Sequence, residues 1–595
     1  MRVHTGKALI AGAAALALVL TACSSSKSTG GNNNTNNNNT QGTSGTGNLA
    51  QCNTQPNTCN TGNVKQGGSI TYTLEKLISG WNINTSNSNT FEFAEVMDGV
   101  IPGVYNASPD LKPFLNTDVM TSAEQTSTSP QTLVYKVRPE AKWSDGQPIG
   151  FDDFNYQWKT SDGSTCVTGK DKTGADLNPC DPASTSGYNQ IQSVTGSDNG
   201  KTITVVMKTP YADWQSMFGT MYPEHIAAQH GDLTTAKGLG DSIQWLDKNK
   251  PTYSGGPYMV DSFVKDTSVT EIPNPSWYGA VKPSLDKLVF RIITDQTAEV
   301  PALTNNEVQV IYPQPHQDIV TQVKNLSGVD SYLGKGLTWE HLDLNEANPL
   351  LKDKVLRTAI FTAISRQQII DRTVGLFVPG ATTLNNHIYV PGQPGYADNV
   401  TATKQGSGDV ATAKTLLTNA GYTGVGTALK TKDGKDVKIR CSFTQGNLLR
   451  SQTCTLIQTM LGALGIKVTP TPLDSLGGTL ASGDFDLIIF AWVGTPFVVA
   501  GAQQIFELNG GADYGKNNDP AVEAKMNAAS SSTDPATVQS LMNEADVLLT
   551  ADAYNLPLFQ KPTFIAAYAN IANIRDNATS VGPPYNVQAW GIRAS

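Results

Sequence analysis

The segment that decides the fold is Asp484-Phe485-Asp486-Leu487-Ile488-Ile489-Phe490-Ala491-Trp492. An apolar run of this length is typical of a strand that is covered on both faces of its sheet. It follows a helical pattern over 448–464, which Gly465 ends, and an alternating pattern over 466–473. A helix, a strand and a covered strand in this order predict an α/β architecture.

Further elements are predicted on the N-terminal side of this segment. Helical spacing of apolar residues predicts helices over 353–374 and 409–421, each followed by or ending in a glycine. Alternation of apolar and polar residues predicts a strand near 69–74 and a hairpin-like stretch over 259–270. Further strands are predicted near 133–138, 201–208 and 437–443, and a buried strand over 288–293. The adjacent Asp152 and Asp153 are interpreted as a helix start rather than as an acid/base pair.

Length and charge limit the class of protein. The chain has 595 residues, 39% of them hydrophobic, and a formal net charge of −9. A chain of this length exceeds what one hydrophobic core supports, so two or more lobes are predicted. The acidic balance argues against a nucleic-acid partner.

The N-terminus has the pattern of an export signal. Arg2 and Lys7 precede an apolar run over 8–20, which is too short for a permanent membrane-spanning helix. The next residues, Leu20-Thr21-Ala22-Cys23, resemble a bacterial lipobox. That resemblance implies that 1–22 is removed and that Cys23 is acylated, which would anchor the protein to the bilayer at the outer face of the cytoplasmic membrane. Two or more acyl chains anchor a protein stably.

A polar segment separates Cys23 from the apolar patterns. Residues 24–63 consist mostly of Ser, Thr, Gly and Asn. Such a composition cannot offset the entropy of ordering, so 23–63 is predicted to be a disordered tether. A flexible chain of this length has a root-mean-square span of about 35 Å.

Seven cysteines are present, of which six remain if Cys23 carries lipid. They fall into three close pairs, and in an exported chain such pairs suggest small-loop disulfides, although six cysteines allow 15 connectivities. The candidate pairs are Cys52/Cys59, Cys166/Cys180 and Cys441/Cys454.

Four segments, in this order, resemble motifs of the extracellular solute-binding proteins of the peptide/nickel class, which serve ABC importers. The segments are the hairpin 135–146 with Lys142-Trp143-Ser144-Asp145-Gly146, the element 256–279 ending in Asn274-Pro275-Ser276-Trp277-Tyr278-Gly279, the element 342–366 with Asn345, Asp353, Arg357 and Arg366, and the strand 484–492. The resemblance extends from about Gly67 to the C-terminus.

The resemblance implies an α/β fold of two lobes that close like a clamshell, with an extra subdomain on the N-terminal lobe. Lobe I would comprise 64–337 and 557–595, with the subdomain at about 91–243. Lobe II would comprise 338–556. The chain would cross the hinge twice, near 335–336 and near Pro557, which limits the motion to opening and closing.

The resemblance also implies where a ligand would lie. In peptide-binding relatives an extended peptide pairs with the strand that here ends at Ala491, Trp492 and Val493, a form of strand addition. Those relatives carry an aspartate three residues after the tryptophan, and it pairs with the peptide's free amine. Thr495 stands there in this chain and cannot supply the charge, so another carboxylate must do so if a free amine is bound.

Candidates for the missing charge and for further contacts are less closely fixed by the sequence. The possible substitutes for the aspartate are Asp474, Glu75 and Asp513. Trp81 and Asn82 would lie on an early cleft-facing loop, and Asn447 and Arg450 either face the cleft or start a helix. Arg357, Arg366 and Asp353 match scaffold positions of the relatives and are interpreted as structural.

Catalytic and metal motifs were not found in the sequence. HExxH, GxSxG and Walker-type patterns are absent, and His225 and His230 lie five apart, a poor spacing for ligands on one helix face. We therefore expect a non-enzymatic, monomeric receptor without cofactor or metal, which captures a solute, first of all an oligopeptide, for an ABC permease. The alternatives are a secreted hydrolase on the same scaffold, or a receptor for a chelated metal, an oligosaccharide or a signalling peptide.

Overall fold

The computed structural model describes residues 43–172, 174, 176–508, 512–516 and 519–594. The predicted signal peptide 1–22, the predicted lipidation site Cys23 and the first part of the predicted tether lie outside the described residues. Among the residues that are described, no helix has the length and apolar character needed to cross a membrane.

Strands are numbered in chain order along the described residues. They are β1 Ser44–Gly45, β2 Ser69–Leu74, β3 Tyr105–Ala107, β4 Pro113–Leu115, β5 Met120–Thr128, β6 Gln131–Val137, β7 Gly169–Lys170, β8 Asp176–Leu177, β9 Ile191–Ser197, β10 Thr202–Met207, β11 Tyr258–Val264, β12 Ser268–Pro273, β13 Lys287–Ile292, β14 Val310–Ile311, β15 Val329–Leu344, β16 Lys438–Thr444, β17 Lys467–Leu473, β18 Leu487–Trp492, β19 Asn555–Tyr568, β20 Ile571–Ala572 and β21 Gly591–Ile592.

The α-helices are numbered in the same way. They are α1 Phe91–Met97, α2 Phe151–Ser161, α3 Glu224–Ala227, α4 Ala236–Lys248, α5 Glu299–Thr304, α6 Gln317–Lys324, α7 Lys354–Ala363, α8 Arg366–Arg372, α9 Val410–Asn419, α10 Leu448–Gly462, α11 Leu476–Ser482, α12 Val498–Phe506, α13 Pro520–Ser530 and α14 Pro535–Asp552.

The fold is of the mixed α/β class, as predicted. One sheet has the strand order β11-β12-β13-β2-β14-β19-β15-β18-β16-β17, with β1 paired to β15. Parallel pairs such as β16 with β18 stand beside antiparallel pairs such as β15 with β19. The segment that decides the fold, β18, therefore lies inside the sheet between β15 and β16, which explains its unbroken apolar run.

Two long strands, β15 and β19, run through the middle of this sheet. Their antiparallel pairing extends from Val329 opposite Tyr568 to Asp343 opposite Asn555. The register is irregular between Lys335 and Trp339 and again between Glu340 and His341. These irregularities interrupt the ladder in the middle of the pair.

A second sheet, β5-β6-β10-β9, is antiparallel and separate from the first. Its strands fall within 91–243, the range predicted for the subdomain. The boundaries of the lobes and of the subdomain remain predictions.

Buried apolar residues form two large cores. The first core takes residues from 49–332 and from the C-terminal 565–590, including Tyr72, Trp143 and Trp590. The second takes residues from 300–489 and from 553–566. The C-terminal tail, which follows β19, thus packs with the first part of the chain.

The helix predicted over 353–374 is interrupted. Helix α7 ends at Ala363 and α8 begins at Arg366. Ser365 has an extended backbone, and its hydroxyl accepts a hydrogen bond from the Gln368 backbone N–H at 3.2 Å. Serine competes with the helix for backbone hydrogen bonds and favours a cap, which an apolar spacing pattern does not reveal.

The disordered tether predicted for 23–63 is wrong for its last part. Strand β1 pairs with β15, and a 3₁₀-helix at Gly47–Asn53 buries Leu49 completely. The segment also donates two hydrogen bonds from Asn48 to the Asp330 carboxylate, at 2.7 and 2.8 Å. Pairing with a long strand and burial of one leucine offset the polar composition.

The three predicted disulfides are present in the structure. They are Cys52–Cys59, Cys166–Cys180 and Cys441–Cys454. The first of them closes the ordered segment just described, and the third joins β16 to α10.

Candidate functional site

The end of β18 has a free edge. On one side β18 pairs with β15 as far as Trp492 opposite Trp339. On the other side its pairing with β16 stops at Ile489 opposite Phe443, and within the described residues no other strand continues it. Residues 490–492 therefore have one edge on which an extended chain can add as a further strand.

Aromatic side chains cover one face of this edge. The Trp492 ring lies nearly parallel to the Tyr514 ring, with 5.9 Å between centroids and 5° between planes. It is also nearly parallel to the imidazole of the buried His341, at 6.1 Å, and Phe490 meets it edge-on at 5.2 Å. Trp492 and Tyr514 stay partly exposed, so this face offers a ligand apolar surface.

A buried ion pair lies on the opposite face. Glu340 is opposite Ala491 in the ladder, so the two side chains share a face. The Glu340 carboxylate accepts hydrogen bonds from Arg450 at 2.5 Å from Nε and 3.3 Å from Nη2. Only 1% of Glu340 and 3% of Arg450 is exposed, so the pair is removed from water. Burial pulls the pKa of Glu340 upward, but Arg450 and Lys561 hold it below its ordinary value.

Three further polar side chains extend this pair and join distant parts of the chain. The Gln314 amide oxygen accepts a hydrogen bond from Asn447 Nδ2 at 3.0 Å and another from Lys561 Nζ at 2.6 Å. Gln314 follows β14, Asn447 caps α10, and Lys561 lies on β19. We call Gln314, Glu340, Asn447, Arg450 and Lys561 the polar cluster.

Glu75 fixes the backbone of the polar cluster from the N-terminal side. Its Oε1 accepts hydrogen bonds from the Gln314 backbone N–H at 3.0 Å and from Gln296 Nε2 at 2.6 Å. Gln296 also donates to the Gln314 carbonyl at 3.2 Å. The main chain of Gln314 is thereby held at both of its polar groups, whereas its side chain remains partly exposed.

A second contact joins the two parts of the chain at α12. The Asp213 carboxylate accepts a hydrogen bond from the Ala500 backbone N–H, in the first turn of α12, at 2.9 Å. Nearby, the Ala212 N–H donates to the Ser530 carbonyl at 2.7 Å. Asp213 thus supplies a helix cap that the α12 segment lacks in its own sequence. Burial raises the pKa of Asp213 to about 6.

Ala491 lies in β18, one residue before its end, and Val493 and Thr495 lie in the loop that leads to α12. Ala491, Val493 and Thr495 are all partly exposed. The Thr495 hydroxyl donates to the Phe497 carbonyl at 3.3 Å and accepts from the Phe497 N–H at 3.1 Å. Thr495 therefore shapes its own turn, and its hydroxyl is already engaged.

The other predicted contact residues are spread over the molecule. Trp81 is only 4% exposed and packs edge-on against Phe93 and Phe263, so its ring belongs to the first core. Asn82 is 1% exposed, and its backbone N–H donates to Asp247 at 3.1 Å. The structure does not bring these two residues together with the edge of β18, and their contact with a ligand remains a prediction.

The three carboxylates considered for a ligand amine differ in position. Asp474 is exposed and lies between Leu473 and Leu476, which pack on the same small cluster as Trp492 and Tyr514. Asp513 is 4% exposed and precedes Tyr514. Glu75 belongs with the polar cluster, as described above. Of the three, Asp474 combines exposure with proximity to the aromatic face.

The arginines interpreted as scaffold make structural contacts. Arg357 forms ion pairs with Asp552 at 2.9 Å and with Glu346 at 3.3 Å. Arg366 donates to the Pro557 carbonyl at 2.9 Å. Both side chains are buried and tie helices to β19 or its neighbours.

His225 and His230 contact different residues and do not face a common site. His225 bonds to Asp145 at 2.8 Å, and His230 stacks on Trp245. In the part of the chain that the structure describes, no group of three or more His, Cys, Asp or Glu side chains is arranged to hold a metal ion.

Sequence reasoning missed Gln314, Glu340, Lys561 and Asp213. None of them belongs to a local motif, because each acts through a partner more than 100 residues away in the chain. Strands β15 and β19 are largely buried, so the charges of Glu340 and Lys561 require partners, but the sequence alone does not show this burial.

Comparison with known proteins identifies the family. Residues 115–514 match the family described as bacterial extracellular solute-binding proteins, family 5 Middle. The chain belongs to this family. The two-lobed periplasmic-binding-protein-like fold implied by the four motifs is thereby confirmed, as is the role of solute-binding protein.

Several relatives of this family 5 protein are similar over most of their length. The oligopeptide-binding protein OppA of Mycobacterium bovis is 30% identical over 522 residues, which are 86% of this chain and 83% of the relative. The solved structure of a periplasmic EDTA-binding protein, EppA, is 34% identical with a TM-score of 0.82, and covers 91% of this chain and 99% of its own. The oligopeptide-binding protein AppA of Bacillus subtilis, solved with a nonapeptide, shares the fold at 18% identity and a TM-score of 0.76, over 89% and 100% of the two chains.

Proposed function

We propose that this protein captures an extracellular oligopeptide by strand addition to the free edge of β18 and delivers it to an ABC-type permease. The observation that supports this most directly is that β18 loses its β16 neighbour after Ile489, between an aromatic face and the polar cluster. Backbone hydrogen bonds along such an edge bind a peptide without regard to its side chains. The names of the OppA and AppA relatives agree with a peptide ligand.

Closure would take place about β15 and β19. We place the hinge at 335–336 and at Pro557, between lobe I (64–337 and 557–595, with the subdomain at 91–243) and lobe II (338–556). The interrupted register of the two strands supports this position, because a ladder with missing pairs bends more easily. The contact of Asp213 with Ala500 would then form only in the closed state, and a ligand between the lobes would stabilise that state.

Trp492 would supply apolar surface to the peptide, and the backbone of 491–493 would supply hydrogen bonds. Asp474 would replace the aspartate that relatives carry at the position of Thr495, since it is exposed near the aromatic face. The reaction class is binding alone, without turnover of the ligand.

A chelated metal is the second candidate ligand. It is favoured by one comparison, the 34% identity to a protein named for EDTA binding. A chelate of this kind carries several carboxylates and no peptide backbone, so it would use cations of the cleft rather than the edge of β18.

Mass spectrometry of the intact protein under native conditions, after gentle purification, tests which solute co-purifies. A ligand should also raise the free energy of unfolding by about 2.7 kcal/mol at a hundredfold excess over its Kd. Failure of every peptide and chelate to shift the melting temperature, together with turnover of an ester or peptide, would favour the hydrolase alternative.

The anchor is a separate part of the proposal. We propose that Cys23 is acylated and that 24–42 leads from the membrane to the ordered segment at β1. The variant Cys23→Ala should move the protein from the membrane to the soluble fraction, whereas Ser24→Ala, the adjacent control, should not. Membrane retention of Cys23→Ala would refute the anchor and leave the binding function untouched.

A further inference from the structure

Two hydrogen-bond donors of the polar cluster converge on a single neutral acceptor. Lys561 Nζ and Asn447 Nδ2 both donate to Gln314 Oε1, at 2.6 and 3.0 Å. The two donors come from β19 and from the residue that caps α10, so they approach the same point from different elements. An ammonium and an amide N–H that converge in this way fit one oxygen of a carboxylate at least as well as an amide oxygen.

Lys561 lacks a close anionic partner. Among the described residues it forms no ion pair within 4 Å, and the nearby Glu340 carboxylate is paired with Arg450. Burial lowers the pKa of Lys561 to about 8, and Glu340 offsets this only in part. The side chain nevertheless remains partly exposed, so a ligand can reach it.

Gln314 can give up its place without disturbing the backbone. Its main-chain N–H and carbonyl are held by Glu75 and Gln296, as described above, while its side chain makes the two contacts with Lys561 and Asn447. Rotation of this one side chain would leave both donors free. The exchange replaces a neutral acceptor by a charged one, and a charge-assisted hydrogen bond is roughly twice as strong as a neutral bond.

We propose that Lys561 and Asn447 form a binding site for a carboxylate of the ligand, and that Gln314 Oε1 occupies this site when the ligand is absent. The site rests on the proposed capture function and specifies the ligand further: it must carry an accessible carboxylate. The C-terminus of a peptide and a carboxylate arm of a chelator both provide this group, so the site fits either source.

The position of the site agrees with a ligand on the edge of β18. Trp492 and Gln560 are both opposite Trp339 in the sheet, on its two sides. Their Cα atoms are therefore separated by two strand spacings, about 10 Å. Lys561 follows Gln560 directly, so an extended peptide of a few residues beside β18 can reach the site with its C-terminus.

The test compares matched ligands on matched variants. Alanine peptides of three to nine residues are prepared with a free C-terminal carboxylate and as C-terminal amides, and their Kd values are measured by calorimetry with the purified protein. For the wild type we expect amidation to weaken binding by about tenfold to a hundredfold, as loss of a hydrogen-bonded charge does. In Lys561→Gln the acid and the amide should bind within twofold of each other, and Lys561→Arg should restore part of the preference.

Two controls separate this role from a general effect of charge or folding. Lys287 begins β13 and is exposed, and Lys287→Gln removes the same charge outside the polar cluster. It should keep the wild-type preference for the acid. Gln314→Ala removes the internal competitor, so the preference should increase, which keeps the site testable even if Lys561→Gln folds poorly.

The outcomes distinguish the site from the capture function. Equal binding of acid and amide by the wild type would overturn the carboxylate site and leave peptide capture standing. Binding of Fe(III)-EDTA but of no peptide, with loss of that binding in Lys561→Gln, would support the site and overturn the peptide proposal. Binding of neither ligand class to the folded wild type would reject both.

Discussion

The buried ion pair of Glu340 and Arg450 should stabilise the fold only while both partners are present, because either charge alone would be buried without its counter-ion. We consider the variant Arg450→Met, which keeps most of the aliphatic volume but leaves Glu340 in a site that is 1% exposed. The carboxylate then retains Lys561 as its remaining cation, and loses both hydrogen bonds from Arg450. Removal of one partner of a buried pair costs about 3–5 kcal/mol.

This loss in the free energy of unfolding corresponds to a fall in melting temperature. For a folded body of about 550 residues the entropy of unfolding is about 1.2 kcal/mol/K, so a loss of about 4 kcal/mol lowers Tm by about 3–4 °C. The double variant Glu340→Met/Arg450→Met leaves no unpaired carboxylate. We expect it to be more stable than Arg450→Met alone, with a coupling free energy of about 2 kcal/mol or more.

Differential scanning calorimetry of the wild type, the two single variants and the double variant at pH 7 measures these differences. The pKa of Glu340 is held below its ordinary value of 4.5, so its contribution is present above that pH and is lost as the pH falls through the lower, folded value. The Tm difference between the wild type and Arg450→Met should therefore shrink toward pH 3. Additive effects of the two substitutions, or a Tm loss below 1 °C for Arg450→Met, would refute the reasoning.

Three further predictions concern other parts of the structure. Burial raises the pKa of Asp213 to about 6 from an ordinary 3.8, so its favourable contribution is complete below about pH 4 and is lost as the pH rises through about 6. The variant Asp213→Asn stays neutral, so its Tm relative to the wild type should rise between about pH 4 and pH 6 and level off above that range. A Tm difference that does not change with pH would contradict this. Replacement of Cys52 by serine removes the disulfide with Cys59 and should lower the free energy of unfolding by about 2–3 kcal/mol. Limited proteolysis should then cut within 43–63 while the rest of the chain resists. An unchanged cleavage pattern would show that β1 and Leu49 hold this segment without the disulfide. The variant Trp492→Ala should weaken peptide binding by about tenfold or more through loss of apolar surface, measured by calorimetry. The control Trp590→Phe, in the first core, should change Tm but not Kd.

Much of the fold was predictable from local sequence. The unbroken apolar run of β18 indicated a strand covered on both faces, and it lies inside the large sheet. The three cysteine pairs were predicted from proximity alone, and all three are bonded in the structure. These features depend on neighbours in the chain, so a single sequence carries them.

Two predictions failed where a distant contact outweighs local composition. The polar residues 43–63 were predicted to be disordered, but β1 finds a partner in β15 almost 290 residues later. The helix predicted over 353–374 is interrupted at Ser365, where a cap replaces one turn. In both places the composition or spacing of the segment does not reveal the contact that decides its structure, which is β15 for the first segment and the Ser365 cap for the second.

In the candidate site, too, the local features were predictable from the sequence and the long-range contacts were not. The sequence determined which class of protein this is and marked the strand end at Ala491 and Trp492, because family motifs and apolar runs are local. Only the tertiary structure decided that Gln314, Asn447 and Lys561 meet at one oxygen atom and that Asp213 caps α12. These residues are polar or charged, and their partners lie far away in the chain. A buried polar group is stable only when a protein partner replaces its hydrogen bonds to water, and a single sequence does not show which residue that partner is.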